Sequence, residues 1–446
     1  MVYNALLKNG MLVGAKESFA ADIAVADGKI ACIGAADSSL TAELVYDARG
    51  KFILPGVIDA HVHFREPGLT HKEDFETGSA AAAYGGITMI ADMPNTQPVT
   101  STVERFREKV CFAEEKSYID FGLFALLNGE NAGEIEGLQK AGALGFKIFL
   151  GTSTGDIAAP PADIMLEQLR KIAGMGKRIG FHAENNELNA RFTALCRAGA
   201  NPEDPALLAR ARPDISEADA IAAAIGFAEQ SGAHIHIHHV SSRLGADLIR
   251  SAKKRLVPVS AETCPHYLLL DEDDYPRLGK AMKVYPPIRS KADREALWAA
   301  LLDGTIDMIA TDHAPHTAEE KERPLWEAMS GLCGVETSVR LMLNEVNKGR
   351  LSLNDYVRLA SEAPARIWGL YPQKGSFVPG SDADFTIVDM EKIGVIRTNE
   401  LHSKNKTGVY DGIETRGIPV AAMIRGDFVM RDGELCGKRG FGKFIW

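Results

Sequence analysis

From Leu54-Pro55-Gly56 onward, short apolar segments alternate with longer segments rich in Ala, Leu, Glu and Arg, and this alternation constrains the fold most. Such alternation is typical of repeated βα units around a parallel sheet. Eight segments qualify as strands, at residues 57–64, 87–93, 119–126, 144–150, 178–183, 234–240, 257–263 and 306–311. Helices are expected at 73–84, 102–115, 161–175, 216–230, 244–254, 293–302, 334–347 and 353–370. Because eight strands are what a (β/α)8 barrel requires, the pattern predicts a TIM barrel.

The two ends of the chain have a different pattern from the middle. Short β-type runs separated by Asn-Gly and Asp-Gly turns fill the first 52 residues, and similar runs return from about Gly375. Neither segment is large enough to bury a core of its own, so we expect them to combine into one small composite β-sandwich. The predicted boundaries are 1–53 for the first part of the sandwich, 54–372 for the barrel and 373–446 for the second part.

Composition narrows the classes of function. Of the 446 residues 46% are apolar, and the net charge of −10 argues against binding to nucleic acid or to anionic membrane surfaces. The six cysteines form no C-x-x-C pair, which favours reduced thiols in a cytosolic protein. The N-terminus has no signal-peptide pattern, and no apolar run has membrane-spanning length. We therefore expect a cytoplasmic protein outside the membrane.

Metal-competent side chains lie at the carboxyl ends of five predicted strands, where the active sites of barrel enzymes form. His61 and His63 share one face of the first strand because alternate residues of a strand point the same way. Two histidines on one strand would also occur at a strand end that is merely polar. Whether they belong to a metal site therefore depends on the residues that the other strands supply. These supply Lys147, His182 with Glu184, His238 with His239, and Asp312 with His313 and His316. Their joint placement predicts a site for divalent metal.

Two of these positions carry open questions. Lys147 lies inside an apolar strand, and burial would favour its neutral amine, which can react with CO₂ to give a metal-bridging carbamate. Lys147 could equally extend its ammonium out of the strand to solvent. At the sixth strand, period-two geometry leaves His238 and His239 undecided as ligands, because they point to opposite faces.

The chain with these residues resembles the amidohydrolase superfamily, in the cyclic-amidase branch that contains dihydroorotases, allantoinases and hydantoinases. The resemblance spans nearly the whole chain. Its motifs are His61-x-His63 after Pro55-Gly56, Phe146-Lys147, His182-Ala183-Glu184-Asn185, His239-Val240-Ser241-Ser242 and Asp312-His313. It implies two divalent metal ions, with zinc as the expected metal. By resemblance one metal is held by His61, His63 and Asp312, a second by His182 and His239, and carbamylated Lys147 bridges them.

Within this branch the resemblance is greatest to dihydroorotases. Arg65, Asn95 and His316 match the three residues that hold the substrate carboxylate there, and a guanidinium is the natural partner of a carboxylate. Allantoinases resembling this chain tend to carry Asn where Arg65 stands. One position departs from the pattern: dihydroorotases usually carry Asn before Pro286-Pro287, and here the residue is Tyr285.

The expected reaction is reversible hydrolysis of dihydroorotate to N-carbamoyl-L-aspartate, a step of pyrimidine synthesis. Asp312 is the expected proton carrier between the attacking water and the leaving amide nitrogen. The family resemblance also implies a dimer or tetramer, and the expected partner is a small cyclic amide.

Three alternatives stay open. Allantoin, hydantoin or dihydropyrimidine could replace dihydroorotate as substrate. Gly151-Thr152-Ser153-Thr154-Gly155 matches the G-x-S-x-G pattern of serine hydrolases, although the chain continues to Pro160-Pro161 where a nucleophile elbow needs an immediate helix. A non-catalytic scaffold is the third, and the complete set of predicted ligands argues against it.

Overall fold

The computed structural model describes residues 3–35, 40–152, 155 and 157–446. Its strands, numbered in chain order, are β1 Tyr3–Val13, β2 Ser18–Ala26, β3 Lys29–Gly34, β4 Ala42–Asp47, β5 Phe52–Pro55, β6 Val57–Val62, β7 Ile87–Asp92, β8 Asp120–Leu126, β9 Gly145–Phe149, β10 Arg178–His182, β11 His234–Ile237, β12 Val259–Thr263, β13 Met308–Ile309, β14 Phe385–Val395, β15 Glu414–Ile424, β16 Asp427–Arg431 and β17 Glu434–Leu435. These form two sheets in the described part of the chain.

Strands β6 to β13 form a parallel sheet in which each strand pairs with the next along the chain. The sheet curves until its first and last strands approach, where Val62 forms a parallel bridge with His313. The predicted (β/α)8 barrel is therefore confirmed. Each observed strand lies within the corresponding predicted segment, and most end one to three residues earlier because the chain turns away to form the rim.

The helices surround the barrel. They are α1 Phe75–Tyr84, α2 Val103–Lys116, α3 Ile135–Lys140, α4 Ala162–Ala173, α5 Asn186–Arg197, α6 Leu207–Ala211, α7 Asp214–Ser231, α8 Arg243–Lys254, α9 Pro265–Leu269, α10 Tyr275–Leu278, α11 Lys291–Leu302, α12 Ala318–Glu322, α13 Ser338–Asn347, α14 Leu353–Val357 and α15 Ala363–Ile367. Side chains cap several of them: Asp74 accepts from the Thr77 amide at the start of α1, and Ser242 accepts from the Gly245 amide at the start of α8. The helix expected over 353–370 is interrupted by a π-helical turn, Arg358–Glu362.

The second sheet draws strands from both ends of the chain. Its order is β17-β16-β15-β14-β5-β1-β2-β3, with β4 paired to β1. The two ends meet where β5 pairs antiparallel with β14, with Ile53 opposite Ile387. Both side chains are fully buried in a core separate from that of the barrel, so the composite β domain is also confirmed. The exact domain boundaries stay a prediction.

Among the residues that the structure describes, the helices are too short or too polar to cross a bilayer.

Candidate active site

The predicted ligands converge at the carboxyl ends of the barrel strands, where the backbone bends. Arg65, His239 and Asp312 adopt the left-handed region, with φ of 64°, 40° and 48°. Non-glycine residues adopt this region rarely and at a cost, so such bends often mark functional sites. The bend at His239 comes two residues after β11 ends at Ile237, and it ends the strict alternation of faces. As a result both His238 and His239 lie inside the barrel, buried.

His61, His63 and Asp312 form one group. Asp312 Oδ1 lies 3.3 Å from His61 Nε2 and 3.0 Å from His63 Nε2. The three potential ligand atoms lie within 4.8 Å of one another, which suits one metal ion. Asn95 Oδ1 lies 2.7 Å from the other nitrogen of His63, Nδ1, so a ring with its proton on Nδ1 donates to this amide oxygen and leaves the Nε2 lone pair for a metal.

His182 and His239 form a second group beside the first. His182 Nδ1 lies 3.0 Å from His239 Nε2, and the rings of His61 and His239 are 5.3 Å apart between centroids. Glu184 Oε2 lies 3.0 Å from His182 Nε2, on the side of the ring away from His239. Arg212 binds the same carboxylate through Nε at 2.9 Å and Nη2 at 2.5 Å. The Glu184 carboxylate therefore holds the His182 ring in place.

Lys147 lies on β9 with its side chain in the barrel interior. The residue is 0% exposed, and its Nζ has no hydrogen-bond partner among the described residues. Burial lowers the pKa of Lys147 to about 7, although the Glu262 and Asp312 carboxylates oppose the shift. A buried amine without partners is unusual, and it fits a group that is modified or that binds a ligand.

The electrostatics of the site suit a divalent cation. Burial lowers the pKa of all four histidines, His61, His63, His182 and His239, which favours the neutral ring that can donate a lone pair to a metal. Burial opposes ionisation of Asp312, but His61 and His63 outweigh it and hold the pKa of Asp312 well below its usual range. Neutral imidazoles beside a carboxylate, with buried His61 Nε2 and His239 Nδ1 atoms that lack hydrogen bonds within the described chain, fit a metal centre.

The expected substrate-binding residues lie together beside the first group. Arg65 is 1% exposed, and its Nη2 lies 3.1 Å from His316 Nε2 while its Nε donates to the Pro315 carbonyl at 3.3 Å. Lys72 Nζ lies 3.1 Å from His316 Nδ1. Burial, with Arg65 and Lys72 adding to it, lowers the pKa of His316, so this ring is neutral between two cations. Glu320 lies 2.9 Å from Lys72 Nζ and balances its charge, so Arg65 is the cation of this group that has no carboxylate within ion-pair distance in the described chain.

Tyr285 lies on the same cavity as Arg65, Asn95 and Asp312. Its ring stacks against the Arg212 guanidinium, with 3.7 Å between Arg212 Cζ and the ring centroid. Arg212 in turn binds Glu184 behind His182. The residue that departs from the dihydroorotase pattern therefore lies between the cavity and the second histidine group.

Comparisons with known proteins agree with this geometry. The model of the amidohydrolase family matches residues 52–429. The chain belongs to the amidohydrolase family. It is 38% identical over 450 residues to an L-hydantoinase of Paenarthrobacter aurescens, covering 100% of this chain and 98% of that protein. It is 36% identical over 427 residues to a dihydroorotase of Methanothermobacter thermautotrophicus, covering 95% and 94%. The solved structure of an L-hydantoinase (dihydropyrimidinase) from Arthrobacter aurescens superposes with a TM-score of 0.97 at 37% identity, covering 100% of both chains.

The expected superfamily membership is thus confirmed, and the chain is a cyclic amidohydrolase. The named relatives divide between hydantoinases and dihydroorotases, so the family places the reaction among cyclic amides and leaves the substrate open.

Sequence reasoning missed the groups that support the amidohydrolase ligands. Glu262 contacts His61 although 201 residues separate them, and Arg212 reaches Glu184 across 28 residues. Only the position of Glu262 at the carboxyl end of a predicted strand pointed to it. Of the serine-hydrolase motif, Ser153 and Thr154 lie outside the described residues.

Proposed function

We propose that this cyclic amidohydrolase is a dihydroorotase, which hydrolyses dihydroorotate reversibly to N-carbamoyl-L-aspartate in pyrimidine synthesis. The observation that supports this choice is that Arg65 is buried and has no carboxylate beside it in the described chain. Its guanidinium is buried beside the proposed metal centre, and within the described chain no carboxylate lies within ion-pair distance of it. Burial lowers the pKa of Arg65 to about 10, so the side chain stays charged near neutrality.

A buried cation without a counter-ion is costly, and proteins retain one where a ligand supplies the opposite charge. Dihydroorotate carries a carboxylate, whereas hydantoin and allantoin carry none. The position of His316 supports this, because its neutral ring separates Arg65 from Lys72 and adds no charge of its own. Arg65, Asn95 and His316 are therefore proposed to bind the substrate carboxylate.

The proposed metal centre uses the two groups of ligands. One divalent metal would be held by His61, His63 and Asp312 and a second by His182 and His239, with a carbamate on Lys147 between them. When bound, two metals of this kind activate water at neutral pH and polarise the amide carbonyl. We propose zinc as the metal, and a dimer or tetramer in the cytoplasm stays a prediction.

Asp312 is proposed to move the proton. Its Oδ1 lies at the centre of the first group, and its side chain also faces the cavity that contains Arg65. It can accept a proton from the attacking water and deliver it to the leaving amide nitrogen. Arg65, which donates to the Pro315 carbonyl on its other side, would orient the ring so that its amide faces Asp312.

A hydantoinase is the second candidate. It is favoured by the similarity in length and structure to the L-hydantoinases and by Tyr285, which stands where dihydroorotases usually carry Asn. The aromatic ring of Tyr285 can pack against an uncharged substrate ring as well as against a charged one, so it does not require a substrate with a carboxylate.

The test compares dihydroorotate, hydantoin, allantoin and dihydrouracil with the metal-loaded wild type and an Arg65→Met variant. For dihydroorotate we expect kcat/KM to fall about 10- to 150-fold in Arg65→Met, because a charge-assisted interaction contributes about 1.5 to 3 kcal/mol. Metal content should not change. Arg49→Met, which alters a side chain that is 78% exposed, is the matched control. Unchanged dihydroorotate kinetics in Arg65→Met, or wild-type preference for hydantoin, would contradict the assignment.

A further inference from the structure

Glu262 lies inside the barrel directly beneath the proposed metal centre. It is on β12, is 0% exposed, and is surrounded by three buried imidazoles. Its Oε1 contacts His61 Nδ1 and lies 2.9 Å from His238 Nδ1, while its Oε2 lies 3.0 Å from His236 Nε2. The described chain places no lysine or arginine within ion-pair distance of this carboxyl group. The side chains that contact this carboxyl group in the described chain are therefore all histidines.

The roles of the two carboxyl oxygens differ. His236 can exchange its proton with a neighbour on its other side, because its Nδ1 lies 2.9 Å from the Ser260 hydroxyl. The Oε2–His236 contact is thus satisfied whether or not Oε2 carries a proton. Oε1, in contrast, faces two imidazole nitrogens, and with any carboxyl proton placed on Oε2 it accepts from both of them. The protons of this network therefore lie on Nδ1 of His61 and on Nδ1 of His238.

This proton placement has a consequence for His61. A neutral imidazole with its proton on Nδ1 carries its lone pair on Nε2. His61 Nε2 is the atom that lies 3.3 Å from Asp312 Oδ1, and it has no hydrogen bond within the described residues. We infer that Glu262 is a positioning residue that fixes the tautomer and the ring orientation of His61, so that Nε2 is presented as a ligand to the first metal. The inference rests on the proposed metal centre and is independent of the proposed substrate.

Packing keeps the network rigid. A Cβ atom placed on Gly180, on the neighbouring strand β10, would lie 2.0 Å from His238 Nε2, so the His238 ring occupies space that only glycine leaves free. The His238 ring also packs edge-on against Phe124, with 6.1 Å between centroids. These contacts hold the His238 ring beside Glu262, whose Oε1 contacts both His238 and His61.

The role of Glu262 Oε1 as a hydrogen-bond acceptor can be tested, because glutamine keeps an acceptor oxygen at this position. In Glu262→Gln the amide oxygen can remain opposite His61 and His238 while the NH2 group donates to His236 Nε2, whose proton moves to the Ser260 side. In Glu262→Leu a side chain of similar size has no acceptor. The experiment titrates metal-free protein with Zn²⁺ in bicarbonate buffer and measures stoichiometry and affinity for wild type, both variants and His234→Gln, which alters an exposed histidine of β11.

Wild type, Glu262→Gln and His234→Gln are expected to bind two Zn²⁺ per chain. Glu262→Leu is expected to bind the His61 metal about 10- to 100-fold more weakly while keeping the other site. Full-affinity binding of both metals by Glu262→Leu would overturn the inference, and so would a Glu262→Gln variant that loses as much as Glu262→Leu. A wild type that binds no Zn²⁺ would overturn the metal centre itself, whereas inactivity toward dihydroorotate with two metals bound would overturn only the substrate.

A second measurement covers the case in which Glu262→Leu does not fold. In metal-free wild type labelled with ¹⁵N-histidine, the signals of His61 can be assigned by comparison with a His61→Asn variant. The inference expects the tautomer with the proton on Nδ1. A proton on Nε2 of His61 would overturn it.

Discussion

Lys147 shows at the scale of one residue how burial prepares a side chain for chemistry. Ordinary lysine, with a pKa near 10.5, is neutral about once in three thousand molecules at pH 7, whereas a pKa of about 7 makes the neutral amine as abundant as the ammonium. Only the neutral amine can attack CO₂. The apolar strand β9 thus supplies the reactive form without any neighbouring base.

We therefore expect the pH to control how fast metal-free protein is activated by Zn²⁺ and bicarbonate. The activation rate at a fixed CO₂ concentration should rise about tenfold between pH 6 and 8 and level off above, because the neutral fraction of a group with pKa near 7 rises in this way. Recovery of amidase activity after mixing measures the rate. A rate that rises steadily to pH 10 would contradict the prediction.

The free energy of unfolding gives an independent measure of the lowered pKa of Lys147. Since the pKa of Lys147 is lower in the folded than in the unfolded chain, the unfolded chain binds more protons between about pH 7 and 10.5. The free energy of unfolding of metal-free wild type should therefore rise relative to Lys147→Met across this interval. Urea denaturation of both proteins at several pH values measures the difference.

At the scale of elements, the barrel closes through side chains as well as through its sheet. Asp59 on β6 accepts from the Thr311 amide at 3.0 Å and from the Thr311 hydroxyl at 2.5 Å, just beyond β13. Strand β13 has only two residues, so these bonds replace a longer ladder between the first and last strands. The same contact fixes the backbone one residue before Asp312.

Replacing Asp59 should therefore loosen the closure. We expect Asp59→Ala to lower the free energy of unfolding by about 2 kcal/mol, since it leaves a buried amide without an acceptor. Asp59→Asn should cost less, because its oxygen still accepts from the amide and its NH2 can donate to the hydroxyl. Burial raises the pKa of Asp59 to about 6, so wild type should also lose stability relative to Asp59→Asn as the pH rises from about 4 to 6. Equal losses in the two variants would contradict this account.

The elements differ in how far they could be predicted from sequence. The strands were predictable because buried parallel strands are continuous apolar runs. Helix α5 was not predicted, although Leu188, Phe192 and Leu195 recur in it at helical spacing; Asn189 is its only buried residue among those described, so that apolar face is not part of the core. The predicted helix over 353–370 overlooked the π-helical turn that precedes Pro364.

The candidate site divides in a similar way. The positions of the predicted ligands follow from the ends of the strands, which can be located in the sequence. The bends at His239 and Asp312 and the contacts of Glu262 and Arg212 depend on which strands become neighbours and how the rim turns, and no local pattern encodes this. Thus the identity of the metal-competent residues was predictable, while the groups that orient them required the assembled barrel.

At the scale of the whole molecule, a buried charge cluster joins the barrel to the composite sheet. Lys374 Nζ lies 2.5 Å from Asp120 on β8, 2.5 Å from Asp384 and 2.9 Å from Asp382, the last two just before β14. Three carboxylates at such spacing could hold a metal ion, but here an ammonium lies among them. Arg425, at the turn between β15 and β16, binds Asp120 as well.

Lys374→Met should therefore weaken the junction of the two domains. We expect the free energy of unfolding to fall by about 3 to 5 kcal/mol at pH 7, because the substitution leaves the buried Asp384 carboxylate without a cation. Lys29→Met is the matched control: Lys29 also contacts Asp382, at 2.5 Å, but its side chain is 45% exposed, and exposed pairs contribute about 1 kcal/mol or less.

Burial raises the pKa of Asp382 but Lys374 outweighs it, so the folded pKa lies below the ordinary 3.8. A depressed carboxyl pKa stabilises the fold above that value and ceases to do so below it. Burial raises the pKa of Asp384 even beside Lys374, so in Lys374→Met this carboxyl group takes up a proton as the pH falls. The difference between wild type and Lys374→Met should therefore be largest near pH 7 and shrink toward pH 4, as followed by urea denaturation. A loss no larger than that of Lys29→Met would show that the cluster does not hold the domains together.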